Sequence, residues 1–367
     1  MAVLTRLRAS PSIINMRKSL GLLLLCALHA ACGGQAADSD GHCLEITLTG
    51  TQGGPTLVNG LAGAGTLVRY GSEATGCGDL TLQFDAGRGT IERISQLGVS
   101  PLDVDAVFLT HMHSDHTEGL SGLLLHRWHF LGEPMDVVCA SDVVAKKPPE
   151  RTLSCRGFVA HTADAMMESG EITQRHAENR KRDPAGPASL VYLQTVDVPL
   201  PEETVVWKSG DVSVSAISTT HIAGSLAFRV DSPAGSVVIG GDASNSKPSP
   251  PRESSTSEAV EALAAGADVL VHSAMHPVFA PDKDSGFPPM AYYRQSNATD
   301  LGSMAERAEI GHLVLTHMIP ALDSASHGPW PVPGGPLGAE DFETAVRDSG
   351  FRGRVTIGRD LTTIRLR

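Results

Sequence analysis

Three histidines and one aspartate crowd into six residues, His111-Met112-His113-Ser114-Asp115-His116. The apolar run 104–109 leads straight into them and reads as a buried strand. Side chains two apart on an extended backbone point the same way, so His111 and His113 can grip one cation. Asp115 and His116 sit on the turn that follows and can reach a second. Imidazole nitrogen and carboxylate oxygen are ligands that zinc accepts, and packing alone does not explain such density at a strand end. Two cations held close together share a water, which loses a proton near neutral pH and becomes a hydroxide nucleophile. The same cations polarise an electrophile and stabilise oxygen charge in the transition state. The pattern predicts metal-assisted hydrolysis.

His-x-His-x-Asp-His after an apolar strand resembles the metallo-β-lactamase superfamily. The similarity continues downstream. Ile217-Ser-Thr-Thr-His221, followed by Leu226-Ala-Phe-Arg-Val230, resembles the family's third-histidine segment. Ile239-Gly-Gly-Asp242 resembles its bridging-aspartate strand, and Leu313-Val-Leu-Thr-His317 its last-histidine strand. The resemblance covers residues 44–366 and is weakest over 141–200. It implies an α/β fold, a four-layer αββα sandwich. It further implies a first zinc on His111, His113 and His221, a second on Asp115, His116 and His317, and Asp242 bridging them. Asp115 and Asp242 would orient the hydroxide. Other divalent metals suit the same ligands. Asp242 stands where some lactam-cleaving members have cysteine, which favours phosphodiester, thioester, lactone or sulfate-ester hydrolysis over lactam cleavage.

Within the superfamily the chain is most similar to the ribonuclease Z-like and arylsulfatase-like branch. Ile46-Thr-Leu-Thr-Gly-Thr51, Asp85-Ala-Gly-Arg-Gly89, the pair Tyr292-Tyr293 and the final Leu-Thr-His carry that likeness. Three departures stand against it. The segment from His221 to Asp242 is too short for the substrate-gripping arm that many members insert there. His272-Ser-Ala-Met275 replaces His-Glu-Ala-Thr, and Gln295 takes the place of a histidine after the tyrosine pair. Ser273 and Gln295 thus occupy the positions of a proton-relay unit. A ribose alkoxide leaving group needs that proton more than an aryl oxide or an opened lactone does.

Formal net charge is −12, and no Lys/Arg-rich run marks a polyanion groove. Charge and relay together lead to an expected small-molecule ester substrate, with no nucleic-acid partner. Alternatives are a lactam or thioester hydrolase, and an envelope-surface zinc-binding protein of the same fold with little catalysis. An iron oxygenase would use similar ligands, but no electron-delivering domain or flavin motif accompanies them.

Met16-Arg17-Lys18 precedes the apolar run 20–31 and a small, polar stretch, which together read as a signal peptide over 1–31. The run falls short of the roughly 20 residues needed to span a bilayer. Ala30-Ala31-Cys32-Gly33 resembles a bacterial lipobox, so Cys32 is expected to be lipidated and followed by a flexible tether over 32–43. The expected location is the periplasm or the outer membrane, with Cys32 as the sole membrane contact. Beyond Cys26 and Cys32, the cysteines are Cys43, Cys77, Cys139 and Cys155. Four cysteines allow three pairings; Cys43 with Cys77 and Cys139 with Cys155 is the local choice, and free thiols are the alternative.

The hydrolase domain is expected over 44–367. Residues 44–49, 66–70, 80–84, 204–207, 212–217, 226–230, 236–239, 268–271 and 313–315 read as strands. Residues 90–97, 119–130, 257–265, 299–309 and 340–348 have helical spacing. Residues 141–200 read as an irregular insertion, either a lid or a solvated excursion. His126, His129 and His312 are read as packing or surface residues, and His276 likewise rather than as a replacement acid. His161, His176 and His327 are expected in solvated loops. The 16 aromatic residues suggest no aromatic-lined pocket.

Overall fold

The computed structural model describes residues 41–145 and 151–367. The expected signal peptide, Cys32 and the tether up to residue 40 lie outside the described residues. In chain order the strands begin with β1 His42–Gly50, β2 Gly65–Ser72, β3 Leu80–Phe84, β4 Ala106–Phe108 and β5 Met135–Ala140. A small hairpin, β6 Val143–Ala145 and β7 Arg151–Leu153, precedes β8 Val191–Val196. Next come β9 Thr204–Ser209, β10 Val212–Ser218, β11 Leu226–Ser232, β12 Gly235–Ile239, β13 Val269–Met275 and β14 His312–Ile319. A second hairpin, β15 Ser326–His327 and β16 Trp330–Pro331, is followed by β17 Arg354–Ile357 and β18 Thr363–Leu366. The helices are α1 Thr90–Gln96, α2 Ser114–Thr117, α3 Leu120–Phe130, α4 Cys155–Glu168, α5 Glu171–Glu178, α6 Glu258–Ala264, α7 Pro289–Tyr293, α8 Ala298–Arg307 and α9 Ala339–Arg347.

Two seven-stranded mixed sheets result, ordered β18-β1-β2-β3-β4-β5-β8 and β17-β14-β13-β12-β11-β10-β9. Period-2 alternation sends Leu44, Ile46 and Leu48 of β1 to the space between the sheets, where they meet Val214, Phe228 and Val237. The central strands are covered on both faces and so read as unbroken apolar runs. In β14, Val314 points into this inter-sheet core, while Leu313 and Leu315 point outward to α6, α8 and α9. On the other outer face, Leu67, Val107 and Val137 meet Leu120, Leu123 and Leu124 of α3. The layers run helix, sheet, sheet, helix, as the resemblance implied. Phe108 anchors the middle, stacked on Phe84 at 4.8 Å and edge-on to Phe228 and Trp207. No helix among the described residues is long and apolar enough to cross a membrane.

The structure revises several expectations. β1 begins at His42, and Cys43 is buried, so ordered chain reaches into the segment expected as tether. The expected insertion is regular: α4 and α5 lie within it, and β8 closes the first sheet alongside β5 in parallel. Its helices are no lid. Cys155 and Val159 of α4 join the outer core of the first sheet, Trp128 Nε1 donates to the Asp183 carbonyl at 2.7 Å, and Arg182 stacks over Trp128. His161 and His176 lie on helices rather than in loops, and His129 pairs with Glu171 at 3.1 Å. Both disulfides take the local pairing, Cys43–Cys77 and Cys139–Cys155. The second ties the first residue of α4 to β5.

Candidate metal centre

Four strands deliver the candidate residues to one end of the sandwich. His111 follows β4, and α2 starts immediately beyond His113, which turns Asp115 and His116 back over the strand ends. His221 follows β10, Asp242 follows β12, and His317 lies within β14. Close backbone packing sets these positions. A Cβ on Gly87 would stand 2.2 Å from the Asp115 carbonyl oxygen, so only glycine lets α2 settle there. Gly241 has φ +58°, and a Cβ on Gly240 would meet the His272 ring at 2.2 Å; this accounts for the Gly-Gly before Asp242.

All seven predicted residues converge, and their ligand-type atoms form three groups. His111, His113 and His221 make one; His111, His116 and Asp242 another; Asp115, His116 and His317 the third, with atoms in each group within 4.8 Å of one another. In the first group His113 Nδ1 lies 3.0 Å from His111 Nε2 and 3.2 Å from His221 Nε2. The outer nitrogens are engaged: His221 Nδ1 donates to the Arg294 carbonyl at 3.0 Å, and His111 Nδ1 faces Thr110 Oγ1 at 3.0 Å. Burial comes first among the causes that lower these imidazoles, His113 to about 4, His111 well below its ordinary value and His221 downward. Neutral rings therefore turn lone pairs on one another, an arrangement that a cation resolves.

Each of the remaining groups pairs two imidazoles with a carboxylate. His317 Nε2 lies 3.1 Å from Asp115 Oδ2 and 3.4 Å from Asp242 Oδ2, and His116 Nε2 lies 3.6 Å from Asp242 Oδ1. Burial opposes charge on His116 and His317, yet the carboxylates around them raise both. Burial likewise opposes charge on Asp115, but the His317 bond and neighbouring imidazoles bring it to about 2. Positive charge is thus favoured at this spot, as protons or as metal. His116 Nε2 and Asp242 Oδ1 are buried without a hydrogen-bond partner. Unpartnered buried atoms of ligand type, facing one another, fit a bound metal.

Sequence reading gave Asp85 no role, but it is central. It follows β3 at φ +53° and accepts from Thr110 N at 2.7 Å, Thr110 Oγ1 at 2.8 Å and His116 Nδ1 at 2.7 Å. One carboxylate thereby orients His116 directly and His111 through Thr110. An acid at a strand end beside the histidine strand was the available signal. The two expected relay positions do meet: Ser273 Oγ donates to Gln295 Oε1 at 3.4 Å, and Gln295 Nε2 to Asp242 Oδ2 at 3.2 Å. Neither side chain titrates, so the pair holds Asp242 and supplies no proton.

Other histidines sort by packing. His276 Nδ1 accepts from Val278 N and its ring packs on Phe342, so it is structural. His312 bonds Thr356 at 2.8 Å. His327, expected in solvent, is buried beside Phe279 and Phe287, and burial together with His317 lowers it to about 4. Phe279, Phe287, Tyr292 and Trp330 join one cluster at this side of the site, a grouping that could not be read from the sequence. Their sequence separation hid them.

Fold and site together define a metallo-β-lactamase superfamily protein, a metal-dependent hydrolase. Within that superfamily it is ribonuclease Z-like. It is 29% identical over 332 residues to ribonuclease Z of Mycobacterium bovis, covering 87% of this chain and 96% of that one. Ribonuclease Z of Mycobacterium marinum is 29% identical over 326 residues, covering 87% and 97%. The family model of the anti-Pycsar protein Apyc1 matches residues 63–154. Among solved structures, human tRNase Z, short form, superposes with TM-score 0.55 at 16% identity, covering 87% of this chain and 98% of that one. The metallo-β-lactamase fold protein YhfI of Bacillus subtilis gives TM-score 0.54 at 17% identity, covering 88% and 99%. Relatives named as ribonucleases overturn the expectation of a small-ester substrate without nucleic acid. Net charge misled because it averages over the whole surface and is blind to the charge at one rim.

Proposed function

We propose that the chain is an exported dizinc phosphodiesterase acting on RNA. The convergence of five histidines and two aspartates into overlapping ligand groups carries this reading. His111, His113 and His221 would hold one zinc, Asp115, His116 and His317 the other, with Asp242 between them. Zinc so held activates water and offsets charge on phosphoryl oxygen. The ribonuclease Z relatives support RNA as the substrate, and imidazole and carboxylate donors suit the zinc that phosphodiester chemistry can use. Asp85 keeps the ligand rings in register, while Gln295 holds Asp242.

The test is metal content of the purified protein, paired with cleavage of a single-stranded oligoribonucleotide and of bis-p-nitrophenyl phosphate. About two zinc per chain with cleavage of both is expected. Metal without cleavage of either substrate would sink the phosphodiesterase reading.

Export rests on the N-terminal pattern and gains support from the two disulfides, which persist in oxidising compartments. Cys32→Ser is expected to release the protein from the membrane fraction into the soluble periplasmic one. A wild-type protein already soluble would refute the anchor, and one retained in the cytoplasm would refute export.

A further inference from the structure

Backbone contacts draw the segments that carry Lys247, Arg252 and Arg294 together beside His221, on a chain whose net charge is −12. Arg252 Nη1 donates to the carbonyls of Lys247 and Tyr293, each at 3.0 Å, and its guanidinium sits over the Tyr293 ring. That clip draws the loop carrying Lys247 against the end of α7. The next carbonyl, that of Arg294, is the one that accepts from His221 Nδ1. Arg294 is therefore joined through its own backbone to a candidate metal ligand. Among the described residues its exposed guanidinium makes no hydrogen bond or ion pair, and neither does the exposed Lys247 ammonium. The neighbouring acid, Asp300, is occupied by Ser255 N and Asn297 Nδ2 at 2.7 and 2.8 Å.

An exposed, unpaired guanidinium on the residue whose carbonyl holds a candidate ligand has the charge and the donors that bind phosphate oxygen. We infer that Arg294, with Lys247 beside it, holds a backbone phosphate of single-stranded RNA adjacent to the one being cleaved. The preferred substrate then carries more than one phosphate, because the metal centre takes one and the rim takes the next. Arg252 is a positioning residue that fixes the rim. This inference rests on the phosphodiesterase reading above and deepens it.

The experiment compares zinc-loaded wild type with Arg294→Ala and Arg294→Lys. Two quantities are read: the affinity for a fluorescein-labelled single-stranded oligoribonucleotide across a salt series, and kcat/KM on that oligonucleotide and on bis-p-nitrophenyl phosphate. In Arg294→Ala the oligonucleotide Kd should rise about tenfold, the loss expected for one charge-assisted hydrogen bond. The slope of log affinity against log salt should shrink by about 0.7, the value for one phosphate contact on a single strand. The ratio of kcat/KM for RNA to that for the single-phosphate ester should also fall about tenfold. Arg294→Lys should recover most of the salt slope. An unchanged Kd and slope, or an equal loss on both substrates accompanied by loss of metal, would overturn the inference. If wild type binds the oligonucleotide but hydrolyses neither substrate, the phosphodiesterase reading falls and the Kd comparison alone decides the subsite. If wild type binds no RNA, both fall.

Discussion

Asp242→Ala is expected to abolish hydrolysis, by at least about a thousandfold, and to lower metal content with it. The aspartate is fully enclosed, and its two oxygens face different partners. Oδ2 lies 3.4 Å from His317 Nε2 and 3.7 Å from His221 Nε2, while Oδ1 lies 3.6 Å from His116 Nε2. Among the described residues it is thus the carboxylate whose oxygens lie near histidines of both proposed zinc positions. Its removal would leave His116 with Asp85 and Asp115, and His317 with Asp115, as compensating negative charge in a buried space. Metal analysis and turnover should move together. Two metals per chain with an unaltered rate would remove the bridging assignment.

Asp85→Asn should weaken metal binding by about 10–100-fold while leaving the fold intact, the usual cost of losing a partner behind a metal ligand. Asparagine tolerates the left-handed backbone at this position, so the substitution tests charge and not strain. It replaces an oxygen that accepts from His116 Nδ1 at 2.7 Å and disturbs the Thr110 link to His111. The pH dependence carries a sign. Metal competes with the proton on His116, whose pKa is raised against burial by Asp85 and Asp242. Affinity in the wild type should therefore fall as pH falls. The variant lacks one raising carboxylate, so its deficit should be largest in alkaline solution, above the raised His116 pKa, and should narrow as pH falls. Competition with a chromophoric chelator over a pH series measures both. A constant ratio near one would show that Asp85 does not tune the centre.

The contrast between Asp85 and His111 shows where sequence reading stopped. His111, His113, Asp115 and His116 are close along the chain, and one strand and one turn suffice to aim them, so local rules found them. His221, Asp242 and His317 followed because each ends an apolar strand in the same order as the family motifs. Asp85 sits in one such motif, but its role depends on lying across from Thr110 and His116, a parallel pairing that no local pattern encodes.

Most main strands and the helices α1, α3, α6, α8 and α9 were legible within a residue or two, because alternation and amphipathic spacing are written locally, whereas β13 and β14 each run four residues past the expected end. β8 was not: its residues are half-buried on an edge, and only the partner strand β5 makes them a strand. Nor were α4 and α5, whose polar faces hid the few side chains that dock on α3 and the first sheet.

By itself the sequence determined the kinds of ligand and the strands that carry them, since each follows from residue type and period along the chain, while the four-layer arrangement came from the resemblance to a known family. Tertiary structure alone decided which outer groups orient those ligands, that Ser273 and Gln295 form a proton-inert hold on Asp242, and that Lys247, Arg252 and Arg294 share one rim. Those relations join residues that are distant in sequence. They exist only where packed backbones bring the donors and acceptors within reach of one another.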